Sequence, residues 1–279
     1  MISRPMMPGR PSLRHAIRAK LRKAKLHSVC EEAKCPNISE CFGAGTATFL
    51  ILGDKCTRGC RFCGVTKGRK PDEPDPDEPV RLAETVRDLE LKHAVITSVT
   101  RDDLPDGGAG AFVSCVKEIR RLSPDTTIEL LVPDFRGDKH SLEKVLDVAP
   151  DVFNHNVETI PRLYHEVRPG SDMRRSLSLL KEASRREGIL TKSGLMVGLG
   201  ENDLEVYQVL EKLAENGCQV VTIGQYLRPD SRSLEVKRMV SPGSFEGYRR
   251  IGVELGLRVV AGDLVRSSWH AQEVFNRDV

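Results

Sequence analysis

Along this chain, short apolar runs alternate with stretches whose apolar residues recur every three or four positions. Six runs, at residues 48–52, 94–97, 128–132, 152–154, 195–197 and 220–223, are continuous rather than alternating. Unbroken apolarity over a few β-prone residues predicts strands buried on both faces, as in a parallel sheet. Helical spacing between them predicts helices near 81–92, 109–123, 139–149, 173–187 and 203–216. The βα rhythm is that of an α/β parallel barrel or doubly wound sheet. Sites in such folds lie at the C-terminal strand ends, so the polar and Gly-rich loops at 98–108, 133–137, 154–158, 198–201 and 225–229 are expected to ring the site. Residues 66–79 carry four prolines, each removing a donor and fixing φ, and read as a surface loop.

The 279 residues can bury a core without covalent staples, and no apolar run approaches the roughly 18 residues of a membrane span. The net charge of +3 conceals an asymmetry: residues 1–30 carry eight Lys or Arg and no acid, leaving a slightly acidic body. That arm has no apolar core of a secretory signal; it shares the Arg-rich composition of a mitochondrial presequence, but Cys30 follows too closely for cleavage to leave much chain before the cysteines. Leu13, Ile17 and Leu21, spaced four apart among basic residues, predict an amphipathic helix lying on the domain. Its basic side fits either a solvated face or a docking surface for an acidic partner or nucleic acid.

Cysteine is the uneven part of the composition. Six of eight fall within residues 30–63, while Cys115 and Cys218 stand alone in segments expected to be helical and inert. A chain of this size with no signal segment has little use for disulfides, so metal ligation in a reducing cytoplasm is the better reading. Cys56-x3-Cys60-x2-Cys63 places three thiolates on a tight loop at a strand end, which suits a cubic iron-sulfur cluster with one iron left open. A zinc knuckle completed by upstream cysteines is the alternative. A zinc-binding nucleic-acid module is weakened by aromatics at only 5% and none placed as stacking platforms beside the basic residues.

The Cys56-x3-Cys60-x2-Cys63 spacing resembles that of the radical S-adenosylmethionine (SAM) enzymes. A second triplet, Cys30-x4-Cys35-x5-Cys41, precedes it, and Arg266-Ser-Ser-Trp-His-Ala271 lies near the C-terminal end of the sequence. With the segments at 97–103, 132–137, 153–158 and 193–200, the three motifs resemble the lipoyl synthase family over nearly the whole chain. Trp269 stands where the family commonly has tyrosine, and Asp263 where proline is expected after Gly262. Both flank the serines and bear on their positioning.

The resemblance implies a partial (βα)6 barrel at 47–265, a basic extension carrying auxiliary-cluster cysteines at 1–46, and a capping segment at 266–279. It implies two 4Fe-4S clusters and SAM as cofactors. Cys56, Cys60 and Cys63 would hold the cluster that chelates SAM and, once reduced, releases methionine and a 5′-deoxyadenosyl radical. Cys30, Cys35 and Cys41 would hold the auxiliary cluster with Ser268 as fourth ligand, Ser267 being the fallback. On the dipeptide alone these serines read as a helix cap or turn. The auxiliary cluster would donate two sulfurs to C6 and C8 of an octanoyl-lysine on a carrier, such as the E2 subunit of a 2-oxoacid dehydrogenase or the glycine cleavage H protein. A ferredoxin or flavodoxin would supply electrons, and an iron-sulfur carrier would rebuild the cluster. A methylthiotransferase would share the core but not require the terminal serine.

For SAM itself, position after successive strands implies Thr97 and Ser98 at the methionyl end and Asn156 and Glu158 near the ribose. Gly198 and Gly200 would admit the adenosine, and Gln225 would line the far wall. Each also has an ordinary reading, as a turn hydrogen bond or a loop glycine. Arg168 fits a pocket counter-ion or a surface salt bridge.

Overall fold

The computed structural model describes residues 11–43, 48–68 and 70–276. Its main sheet has eight strands in the order β1 (His27–Ser28), β2 (Thr48–Ile51), β5 (His93–Ser98), β6 (Thr127–Leu131), β7 (Val152–Asn154), β8 (Leu190–Val197), β9 (Val220–Gln225) and β10 (Arg258–Gly262). From β2 to β10 every pairing is parallel, and β1 pairs antiparallel with β2. The sheet ends on β1 and β10, which do not pair, so the barrel is open. The register Ile51↔Ser98, Thr97↔Leu131, Leu131↔Asn154 and Val197↔Gln225 brings the C-terminal strand ends to one rim.

All six expected strands are present, and the parallel sheet extends one strand further. β10 carries only the short run Val259-Val260-Ala261 between Arg258 and Gly262, and none of its residues is fully buried. A two-residue pair, β3 (Lys55–Cys56) with β4 (Thr66–Lys67), closes the base of the second cysteine loop, so residues 66–79 are not entirely loop. Nor does the loop reach Pro79. Helix α4 starts at Glu78, and proline is tolerated in the first turn because its missing N–H has no intrahelical partner.

The N-terminal region forms α1 (Pro11–Lys23), α2 (Val29–Glu32) and α3 (Ile38–Gly43). Ile17 and Leu21 are fully buried, so α1 lies on the domain as its spacing predicts; the Leu13 side chain falls outside the described residues. Arg18 pairs with Glu31 at 3.0 Å and Lys20 with Asp88 at 3.1 Å, so part of the basic face is tied down within the fold. The crossover helices are α4 (Glu78–Asp88), α5 (Ala109–Leu122), α6 (Lys139–Asp147), the short α7 (Tyr164–Val167), α8 (Met173–Ser184), α9 (Asp203–Glu215) and α10 (Pro242–Glu254); α11 (Ala271–Asn276) follows the C-terminal motif. Each long crossover helix buries one apolar stripe, such as Leu82, Ala83 and Val86 in α4 or Phe112, Cys115, Val116 and Ile119 in α5. A fully buried side chain of this size contributes roughly 1.5–3 kcal/mol. Cys218 sits in the turn before β9 rather than in a helix; it is buried like Cys115, and burial raises both thiols.

Candidate functional site

The loop bearing the second triplet is held from three sides. Thr57 N–H donates to the Thr100 carbonyl at 3.0 Å, Arg61 N–H to that of Val167 at 2.9 Å, and Leu234 N–H to that of Arg61 at 3.0 Å. Within the loop, Arg58 is the main fastening. Its Nε and Nη2 donate to both oxygens of Asp102 at 2.8 and 2.9 Å, and Nη2 also lies 2.6 Å from Asp134. Asp134 is completely buried and takes a second guanidinium, Arg175, at 2.8 Å. Burial opposes its ionisation, but the bonds from Arg58 prevail and hold its carboxyl well below the usual range. The loops after β5 and β6 are thereby clamped onto the cysteine loop.

A cavity of about 500 Å³ opens at the C-terminal strand ends. Cys56, Cys60 and Cys63 line it, and so do Cys30, Cys35, Ser267 and Ser268. The two triplets meet because Gly64, directly after Cys63, packs against the Ala33 carbonyl and Pro229; a side chain at Gly64 would crowd both. From the other end, Asn37 donates to the Leu264 carbonyl at 2.6 Å, and His270 lies 3.4 Å from Glu40. Motifs more than 200 residues apart thus form one wall.

Four of the thiols, Cys30, Cys41, Cys60 and Cys63, sit in surroundings that oppose free thiolates. Burial pushes Cys30 up to about 11, and burial plus neighbouring Cys30 and Cys35 pushes Cys41 up to about 12. Burial, with Cys60 and Cys56 adding repulsion, pushes Cys63 up to about 12; Cys60 is raised less, because Arg168 counters its burial. Soft donors of this kind, two in each triplet, fit a cationic iron-sulfur group, which supplies the missing positive charge. Among the described residues, no three His, Cys, Asp or Glu side chains already stand at metal-ligand spacing.

Of the residues expected to meet SAM, Thr97, Ser98, Asn156, Glu158 and Gln225 all line the cavity. The Ser98 hydroxyl is buried with no partner in the protein, and Arg168 Nε is likewise buried and unpartnered. Such groups are costly to bury unless something else satisfies them, and a zwitterionic amino-acid ligand fits that need. Arg168 is no surface salt bridge: its Nη1 donates to the Asn156 and Val157 carbonyls at 2.9 and 3.2 Å, and the side chain lines the cavity. Glu158 is half-buried on the cavity wall, and its desolvation there raises its carboxyl despite Arg168 and a 3.2 Å bond from Asn156.

Gly198 and Gly200 do not line the cavity. Gly198, at φ +101°, clears space for Gln225 and the Arg238 carbonyl. Gln225 in turn is a fixed strut: its amide donates to the Arg238 carbonyl at 3.1 Å and accepts from Val240 N–H at 2.9 Å. The two serines part company. Thr48 donates to Ser268 at 2.8 Å, and the Cys30 thiol meets the same threonine; Ser267 instead bonds Asn154 and Asn156, each at 2.9 Å. Sequence reasoning missed Arg58, Asp134 and His155. Arg58 carried a signal, an arginine between two cysteines of the motif. His155 is fully buried, bonds the Val132 carbonyl at 2.8 Å and Ser176 at 2.9 Å, and is pushed down to about 4 by burial and by Arg168.

The model of the radical SAM superfamily matches residues 50–213. Lipoyl synthase of Nitrosospira multiformis is 56% identical over 256 residues, covering 91% of this chain and 81% of the relative. That of Polaromonas naphthalenivorans is 55% identical over 269 residues, covering 95% and 81%. Among solved structures, Streptococcus suis SuiB bound to its precursor peptide SuiA superposes with TM-score 0.60 at 12% identity, over 89% of this chain and 52% of that one. Methylornithine synthase gives 0.52 at 15% identity, over 91% and 79%. The structural likenesses speak to the barrel alone, while the close relatives decide against both a methylthiotransferase and a zinc-binding nucleic-acid module. With cysteines of both triplets and a C-terminal serine pair on one cavity, and more than half its residues shared with such relatives, this chain belongs to the lipoyl synthase family of radical SAM enzymes.

Proposed function

We propose that the six clustered cysteines divide three and three. Cys56, Cys60 and Cys63 hold the 4Fe-4S cluster that the superfamily uses with SAM. Cys30, Cys35 and Cys41, with Ser268, hold an auxiliary cluster that is consumed as the sulfur substrate. When bound, the first cluster and SAM supply the 5′-deoxyadenosyl radical that abstracts hydrogen from C6 and C8 of a carrier-bound octanoyl-lysine. Those C–H bonds offer no acidity for a base to exploit, so no side chain here acts as a general base.

The observation that carries this reading is one cavity lined by Cys56, Cys60 and Cys63, by Cys30 and Cys35 of the first triplet, and by both serines. A chain entering it lies between radical source and sulfur store. Leu50, Leu131, Met196 and Tyr226 supply an apolar wall that suits an octanoyl chain and excludes water. Ser98 and Arg168 offer their free polar atoms to the methionyl end, beside Thr97; Asn156 and Glu158 face the ribose, and Gln225 backs the wall. Serine oxygen binds iron more weakly than thiolate sulfur, so a serine-ligated iron is the one to leave when sulfide is drawn from the cluster.

Residues 1–46 form the auxiliary-cluster extension in this reading, 47–265 the barrel and 266–279 the cap. Among the described residues no helix is long and apolar enough to cross a membrane. Reduced thiols in this number fit the cytoplasm. The carriers are octanoylated E2 or H-protein domains, a ferredoxin or flavodoxin donates electrons, and an iron-sulfur carrier restores the spent cluster. Anaerobic incubation with octanoylated H protein, dithionite and SAM, read by mass, is expected to show two sulfurs added per carrier by protein holding about eight irons. A preparation that holds two clusters and cleaves SAM but adds no sulfur would overturn it.

A further inference from the structure

The interior of the barrel holds a buried ion pair that the reaction as described does not use. Lys192 Nζ lies 3.0 Å from each oxygen of Glu129, and both side chains are 1% exposed. Lys192 pulls the Glu129 carboxyl down to about 2 against the effect of burial, so Glu129 is a carboxylate at neutral pH. Taking two charges out of water costs several kcal/mol per ion. Such a pair is not explained by stability alone.

Its hydrogen bonds lead outward to the C-terminal motif. Asn154 Nδ2 donates to Glu129 Oε1 at 2.7 Å and to Ser267 Oγ at 2.9 Å. Ser267 Oγ donates to Asn156 Oδ1 at 2.9 Å, and Asn156 Nδ2 donates to Glu158 at 3.2 Å. A carboxylate at each end fixes which face of each amide carries its N–H groups. Ser267 therefore accepts from one asparagine and donates to the other. The path is cleared by two glycines: a side chain at Gly194 would crowd Asn156 Oδ1, and one at Gly224 would collide with the Val265 carbonyl where the C-terminal segment crosses β9.

We propose that Ser267 is a positioning residue, anchored through Asn154 on the Glu129–Lys192 pair, and that it locks the C-terminal segment in the barrel so that Ser268 is delivered to Thr48 and Cys30. The inference rests on the assignment of Ser268 as an auxiliary-cluster ligand. With its proton and a lone pair both engaged between Asn154 and Asn156, Ser267 serves as the strut and leaves Ser268 for iron. The same bonds join the Asn156–Glu158 wall to the auxiliary site, so the two sites share one support.

The test uses full-length protein in which Cys56, Cys60 and Cys63 are replaced by alanine, so that only the auxiliary cluster is read. Ser268→Ala is expected to change the electron paramagnetic resonance spectrum of the reduced cluster. Ser267→Ala should keep about four irons and shift the spectrum toward that of Ser268→Ala, whereas Ser267→Thr, which keeps the hydroxyl, should restore the original. Asn154→Ala cuts the same bond from the strand side and should reproduce the shift, which maintains the test if Ser267→Ala does not fold. Amide exchange in residues 266–271 should accelerate roughly fivefold to tenfold, the factor for one lost buried hydrogen bond. An unchanged spectrum and unchanged exchange in both Ser267→Ala and Asn154→Ala would overturn the positioning role. A spectral change in Ser267→Ala with none in Ser268→Ala would instead overturn the ligand assignment beneath it.

Discussion

Replacing Arg58 by alanine tests whether the second cysteine loop owes its shape to the clamp between Asp102 and Asp134. The guanidinium is 7% exposed and Asp134 is not exposed at all, so the substitution removes one partner of a buried ion pair. That change typically costs about 3–5 kcal/mol. Asp134 keeps Arg175, so the lower end, ~3 kcal/mol, is expected. With a urea m-value of about 3 kcal/mol/M, the midpoint of cluster-free, reduced protein should fall by roughly 1 M at pH 7. Arg58→Lys keeps the charge but loses the fork and should fall between the two. The acid side gives a second check. Because the Asp134 carboxyl is depressed in the folded state, its stabilising contribution is present above the unfolded carboxylate pKa and is lost as pH falls through the folded value. The gap between wild type and Arg58→Ala should therefore narrow once pH drops below about 4. A midpoint within about 0.2 M of wild type at pH 7, against the ~1 M expected, would refute the clamp.

Cys60→Ala should abolish 5′-deoxyadenosine formation, and persistent SAM cleavage would move the radical cluster elsewhere. Cys35→Ala should still cleave SAM yet yield no lipoyl product by mass; normal dihydrolipoyl carrier would mean sulfur from another source. Gly198→Ala should lower stability by at least ~2 kcal/mol, because a methyl at φ +101° also overlaps Gln225, while Gly200→Ala, at φ +116° with only an ordinary contact to Lys237, should cost less. His155 is held neutral when folded, so its contribution is full above about pH 6.5 and lost as pH falls toward about 4. His155→Gln should flatten that limb of the stability curve, and an unaltered limb would show that another group titrates there.

The strands were legible because burial on both faces writes a continuous apolar run. β10 was passed over although Val259-Val260-Ala261 is itself a short apolar run: it lies at the edge of the sheet between Arg258 and Gly262 and is only half buried, so burial on both faces does not extend the run. The cysteine loop was legible from spacing alone, since three thiols within eight residues cannot avoid one another. Gly198 and Gly200 misled for a physical reason. A glycine pair after a strand signals that backbone or side chain must come close, but not what comes close; here Gly198 admits Gln225 and the Arg238 carbonyl rather than a ligand.

The partners of the cysteine loop lie where no local pattern reaches. Arg58 meets Asp134 across 76 residues and Ser267 meets Asn154 across 113, and each pairing exists only because the parallel register brings those strand ends to one rim. Spacing motifs report ligands that are neighbours in sequence, whereas the buried carboxylates that orient them are neighbours only in space. Glu129 shows the consequence. In sequence it is one acid inside an apolar strand, a position at which an isolated charge would be expelled. Folded, it is matched by Lys192 from β8 and capped by Asn154 from β7. An acid that the local pattern disfavours is kept because three strands converge on it, and the segment that bonds to that convergence carries the serine proposed to bind iron.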